Sequence, residues 1–162
     1  MLTKFEDIIE KVLEHEGGYV NDPDDPGGET MMGISKRAYP NLDISGLSRQ
    51  DVIDIYKKDY WDRNRVDSFP DKLRYIYFDM CVNMGKSRAV KIIQQACNSK
   101  KQNLSVDGGL GPLTLKSVRK CKLSPSRVRA YRIKYYANLV DKKPILNKYY
   151  YGWFKRSLSV WI

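Results

Sequence analysis

Glu16 and Asp25 are two carboxylates separated by eight residues, the first at the end of an apolar helical stripe and the second in a turn rich in glycine and proline. A glutamate on a buried helix face and an aspartate on a solvated loop suit glycosidic bond cleavage, which needs one protonated and one ionised carboxyl. Burial disfavours the charged form of Glu16, and the negative end of the helix dipole acts in the same direction. Both effects favour a carboxyl that can donate a proton. Asp22 and Asp24 lie on the same loop and compete with Asp25 for the second role. Asp-Pro steps also make ordinary turns, which gives the loop a purely structural use. His15 is the only histidine, and it rotates off the apolar face toward the rim. Serine-histidine-aspartate and histidine-metal chemistries therefore lack their residues. The acidic loop does not follow EF-hand spacing, so neither a metal nor a cofactor is expected.

The elements around these residues are readable. Thr3 and Glu6 spell a T-x-x-E capping box. Phe5, Ile8, Ile9, Val12 and Leu13 follow at the spacing of one helix face. Glu16 comes close to three full turns after Phe5, so it projects from that same face. Glycines and prolines between residues 18 and 34 forbid helix and predict a short hairpin. Ser48 and Asp51 form a second capping box, opening a helix with Val52, Ile55, Tyr56 and Tyr60 inward. Leu73, Ile76, Tyr77, Met80, Cys81 and Met84 predict a helix apolar almost all round, the central buried one. A further helix starts at Ser87 with Ala89, Val90, Ile93, Ala96 and Cys97. Asn98 to Gly111 is a polar loop and the expected lobe boundary. Ser124-Pro125 reads as N-cap and first helical residue, opening a helix with Val128, Tyr131, Tyr135 and Leu139 inside. Pro144 precedes a last helix carrying Tyr149, Tyr150, Trp153 and Phe154. The expected fold is mainly α (α+β), with a small β-hairpin next to the helix that ends in Glu16. The chain is expected to divide into a catalytic region, 1–97, and a basic helical region, 98–162, packed as one compact unit.

At 162 residues the chain can bury a core without disulfides or metals. Cys81, Cys97 and Cys121 form an odd set within apolar patterns, so buried reduced thiols are expected. Met1 to Glu10 is charged and has no long apolar run, so neither a signal peptide nor a membrane span is expected. Synthesis in the cytoplasm, release by another route and a monomeric state are the corresponding expectations. The net charge of +10 is uneven: residues 116–162 hold 13 basic side chains and one acidic one, Asp141. Such a segment implies a polyanionic partner or a solvated basic face.

The string Glu16-Gly17-Gly18-Tyr19-Val20-Asn21-Asp22-Pro23, continuing through Asp25-Pro26-Gly27-Gly28 to Thr30 and Gly33-Ile34, resembles the signature of glycoside hydrolase family 108. The resemblance continues at Tyr60-Trp61-Asp62, Asp67-x-Phe69-Pro70 and Phe78-Asp79-x-x-Val82-Asn83-x-Gly85. It reaches Val106-Asp107-Gly108-x-x-Gly111-Pro112 and Gly152-Trp153, which look like the predicted peptidoglycan domain that follows in that family. It implies a lysozyme-like fold and an N-acetylmuramidase of phage or prophage endolysin type. Glu16 would be the catalytic acid and peptidoglycan the substrate. The Glu16–Asp25 spacing also matches the Glu–Asp–Thr pattern of phage lysozymes. Thr30 would then help hold the attacking water, although it follows Asp25 one residue sooner than in that pattern. Tyr19, Asn21, Asp22, Tyr60 and Asn83 fall in the signature segments and are the candidate sugar contacts, since aromatic faces and amides suit N-acetylated rings. One of Tyr60 and Trp61 is expected in the core. Anionic envelope polymers would meet the basic C-terminal segment. A lytic transglycosylase using the same Glu16 and a non-catalytic wall-binding or secretion-accessory protein remain alternatives. Nucleic acid is not expected as a partner, because no recognised motif accompanies the charge.

Overall fold

The computed structural model describes residues 3–21 and 28–160. Helix α1, Phe5–Glu16, buries Phe5, Ile8, Ile9, Val12 and Leu13, the stripe that its sequence spacing predicts. Its capping box does not form. Lys4 occupies the N-cap in extended conformation without a side-chain cap bond, so Thr3 lies one position too early to reach the free amides. Glu6 and Asp7 still place negative charge at the positive helix end.

Three two-residue strands follow: β1 (Tyr19–Val20), β2 (Thr30–Met31) and β3 (Ile34–Ser35). They form one antiparallel sheet in the order β1-β2-β3, with Tyr19 opposite Met31, Val20 opposite Thr30, and Met31 opposite Ile34. The predicted hairpin therefore gains a third strand. Met32 and Gly33, at φ 46° and 83°, make the β2–β3 connection a two-residue turn of the I′ type.

Helix α2, Arg49–Ile55, starts with the predicted box: the Ser48 amide donates to Asp51 Oδ2 at 2.9 Å and the Asp51 amide to Ser48 Oγ at 3.1 Å. The chain then widens into a π-helical turn over Tyr56–Asp62, where the Arg63 amide donates to the Lys58 carbonyl at 3.2 Å. Five-residue spacing brings Tyr56 and Trp61 to one face, and each is 1% exposed. Trp61 meets the Phe5 ring edge-on, with centroids 5.4 Å apart. Tyr60 is only half-buried, so Trp61 is the aromatic that joins the core.

Among the described residues the chain divides into two compact units, 4–63 and 64–160, the latter taking in Thr3. The second unit is helical: α3 (Asp71–Met84), α4 (Lys86–Asn98), α5 (Pro112–Lys120), α6 (Pro125–Lys142) and α7 (Asn147–Ser159). Helix α3 is buried on nearly every side, as predicted. Gly85 alone joins it to α4, whose start one residue before Ser87 leaves that serine inside the first turn. Helix α5 has no counterpart among the sequence expectations, although Gly111-Pro112 and the pair Leu115 and Val118 mark its start and its face. Ser124 caps α6 by accepting from the Arg127 amide at 3.3 Å.

Helix α6 is rotated from its predicted orientation. Val128, Arg129, Arg132 and Tyr136 are the buried residues, whereas Tyr131, Tyr135 and Leu139 are only half-buried. The cause lies on α3. Asp79, fully buried, takes Arg132 at 2.7 Å and Arg156 of α7 at 2.9 Å. A buried carboxylate is costly unless paired, and this pairing sets the α6 face that turns inward. Burial pushes the Asp79 carboxyl up, but the two guanidinium groups outweigh it and hold the carboxyl below the usual aspartate range. Arg129 donates to the carbonyls of Ser157 and Val160, each at 3.0 Å. Among the described residues no helix is long and apolar enough to cross a membrane.

Candidate active site

Glu16 is the last residue of α1, and Gly17 ends the helix at φ 77°. In that left-handed region a side chain would be strained, so a glycine here lets the chain turn immediately beyond the carboxylate. Glu16 is half-buried and its Oε1 is buried. The β2–β3 turn forms the wall it faces. A β-carbon added to Gly33 would stand 2.5 Å from the Tyr56 hydroxyl, 2.8 Å from Glu16 Oε2 and 3.3 Å from Glu16 Cγ. No side chain larger than hydrogen fits there without displacing the carboxylate. The Tyr56 hydroxyl donates to the Met32 carbonyl at 2.9 Å, which ties the turn to the π-helical segment.

Tyr60 stands beside Tyr56 with ring centroids 5.0 Å apart. Burial pushes the Tyr60 hydroxyl up; a hydrogen bond with Tyr39 opposes this, and the charges of Asp59 and Glu16 reinforce it. It remains a hydroxyl at neutral pH. Tyr39 donates to Asp59 Oδ2 at 2.8 Å, and burial, followed by that bond, raises its hydroxyl as well. The site thus gathers a carboxyl at a helix end, two tyrosine hydroxyls and a hairpin backbone with no room for a side chain. Such a group holds the Glu16 carboxyl closely against the β2–β3 turn.

The other sequence candidates are distributed around this centre. Thr30 is half-buried on β2, opposite Val20 on one side and Ser35 on the other. Tyr19 is exposed on β1, and its hydroxyl donates to Glu29 Oε1 at 2.7 Å. That bond, burial and the Glu29 charge raise it, while Asn21 acts against them. Asn21 is exposed at the start of the connecting loop. Asp22, Asp24 and Asp25 lie outside the described residues. Asn83 belongs to the second unit, where its Oδ1 accepts from the Tyr136 hydroxyl. His15 is exposed at the rim, as its helical position predicts. Tyr56 and Gly33 are the site residues that sequence reasoning passed over. Tyr56 hides in a helical stripe, and the signal for Gly33 is a Met-Gly pair between two short extended runs.

The D-G-x-x-G-P turn is built as an anchor in the second unit. Asp107 Oδ1 accepts from the Gly109 amide at 2.7 Å and from Gln94 Nε2 at 2.8 Å. The Gln94 carbonyl oxygen in turn accepts from the Gly108 amide at 3.0 Å.

A mainly helical scaffold with a carboxyl at the end of its first helix, beside a three-stranded antiparallel sheet, defines a lysozyme-like glycoside hydrolase. The comparisons specify it further. Residues 9–85 match the family described as Glycosyl hydrolase 108, and residues 88–158 match the Predicted Peptidoglycan domain. The chain is therefore similar to this glycoside hydrolase family over its first part and to the peptidoglycan domain over its second, and the two matches together support a hydrolase acting on peptidoglycan. Its fold is similar to that of Brucella abortus SagA, with a TM-score of 0.77 and 27% identity over 96% of this chain and 90% of that one. No curated relative matches the sequence.

Proposed function

We propose that the protein is an N-acetylmuramidase that cleaves the bond between N-acetylmuramic acid and N-acetylglucosamine, with Glu16 as general acid. The observation that carries this reading is the seat of Glu16: a half-buried carboxyl at a helix terminus, walled by Gly33 and flanked by tyrosine hydroxyls. Glu16 protonates the glycosidic oxygen as the bond to the muramic anomeric carbon breaks, and the developing positive charge is met by a second carboxylate. Asp25 is the choice for that role, with Asp22 and Asp24 as neighbours on the same loop. Thr30 holds the water, and Tyr19, Asn21, Asp22 and Tyr60 contact the sugars and their N-acetyl groups. The exposed lysines of the C-terminal segment add affinity for anionic wall and envelope polymers.

The test is turbidity loss of purified peptidoglycan with wild-type and Glu16→Gln protein, followed by mass analysis of the products. Wild type is expected to release fragments with a hydrolysed muramic reducing end, and Glu16→Gln none. Retention of activity within a few-fold of wild type removes Glu16 from the mechanism. Anhydromuramic ends mean that the enzyme closes a ring without water.

A further inference from the structure

The half-buried side of α6 forms one wall of an open groove. Tyr131, Lys134, Tyr135, Asn138 and Lys142 recur at three- or four-residue steps, so one face of the helix presents them all. The end of α4 supplies the rest of the lining, with Gln95, Asn98 and the Ser99 that follows it. The groove holds about 570 Å³, within the range of small-ligand sites. Every residue that lines it falls inside the matched peptidoglycan domain, residues 88–158.

We propose that this groove binds the acidic muramyl-peptide unit of peptidoglycan through residues none of which belongs to the Glu16 site. The proposal rests on the reading of the protein as a wall hydrolase and names where its second domain grips the wall. Tyr131 and Tyr135 are half-buried rings whose flat faces suit the C–H surface of a pyranose, with a hydroxyl at the edge. Gln95 and Asn138 are exposed amides, and neither side chain makes a hydrogen bond among the described residues. Each amide can donate and accept, the pairing that an N-acetyl group or a peptide bond requires. Asn98 lines the same groove but is occupied, bonding the Leu104 amide at 2.8 Å and its carbonyl at 2.9 Å.

Charge narrows the ligand class. Lys134 and Lys142 are exposed on the groove wall, and no Asp or Glu lines it. At 1.5 Å per residue the two lysines stand about 12 Å apart along the helix, a span that serves carboxylates spaced along a stem peptide. Lys134 Nζ lies 5.7 Å over the Tyr131 ring, so positive charge and aromatic surface adjoin on this wall. A neutral glycan has no use for the lysines, and a bare polyanion has none for the amides and rings. An acidic glycopeptide uses all three.

The experiment uses full-length Glu16→Gln protein, so that bound ligand is not cut, labelled with nitrogen-15 and titrated with purified GlcNAc–MurNAc-tetrapeptide. The side-chain amide signals of Gln95 and Asn138 are expected to shift saturably. Adding Lys134→Gln and Lys142→Gln, both at exposed positions, is expected to weaken the dissociation constant about tenfold, the loss of two exposed charge contacts. Unmoved amide signals overturn the proposal. Equal shifts with dextran sulfate also overturn it, because the groove is then only part of a basic surface. The hydrolase reading fails separately: wild type that leaves wall intact refutes that reading, whereas unmoved amides in a protein whose wild type clears wall refute the groove alone.

Discussion

Gly33 decides how close the hairpin comes to the Glu16 carboxyl. Its φ of 83° lies where a side chain is strained, at a cost of about 1–3 kcal/mol, and its missing β-carbon leaves the space that Glu16 and Tyr56 occupy. Gly33→Ala is therefore expected to lower stability by about that amount and wall hydrolysis by tenfold or more. Urea denaturation and turbidity assays measure both, and an alanine variant with wild-type stability and rate means that the turn does not set the position of the Glu16 carboxyl. Tyr56→Phe separates the hydroxyl from the ring. It strips the part-buried bond to the Met32 carbonyl while keeping the packing, so a loss of about 1 kcal/mol in urea denaturation is expected. The place of Glu16 at the end of α1 was legible from its spacing of eleven residues after Phe5 on an apolar stripe. Its supporting residues were not, because they come from a turn and a π-helical segment that helix counting does not align.

At the scale of elements, local chemistry was legible wherever one segment carried its own instructions. The Ser48–Asp51 box, the α1 stripe and the Ser124-Pro125 start needed no distant partner. The π-helical turn was hidden because a period of 3.6 residues pairs Tyr56 with Tyr60, whereas a widened turn pairs Tyr56 with Trp61. The orientation of α6 was hidden because hydropathy counts Arg132 as a surface residue, and only Asp79, on a different helix, makes its burial tolerable. The cysteines behave as core residues. Burial pushes the thiols of Cys81 and Cys97 up to about 12, and Cys97 and Cys121 lie with their sulfurs 3.9 Å apart. A thiol reagent needs thiolate and access, so native protein at pH 8 is expected to stay unlabelled while guanidinium releases all three thiols. Rapid labelling without denaturant shows instead that the α4–α5 packing opens.

At the scale of the whole molecule, the C-terminal charge serves two purposes. Arg129, Arg132 and Arg156 are committed inside the helical unit, while the remaining lysines and arginines of residues 116–162 are exposed. Surface charge is screened over about 8 Å at physiological salt, so retention of Glu16→Gln protein on wall is expected to weaken as salt rises. Retention indifferent to salt leaves no role for the exposed bases. The inner charges act on stability. Because the Asp79 carboxyl is held below its ordinary value of 3.8, the folded state prefers the ionised form. The sign follows from linkage: this stabilisation is complete above the unfolded value and is lost as pH falls through the lower, folded one. Urea midpoints are therefore expected to hold between pH 5 and 7 as far as this group is concerned, and to fall steeply below pH 4. Asp79→Asn keeps the shape but leaves Arg132 and Arg156 without their counter-charge, a loss of about 3–5 kcal/mol. The variant is expected to show a low midpoint at pH 7 and a much flatter decline in acid, since its amide does not titrate. If wild type and Asp79→Asn lose stability in parallel between pH 4 and 2, the acid sensitivity belongs to other carboxylates, and the triad does not hold α3, α6 and α7 together by charge.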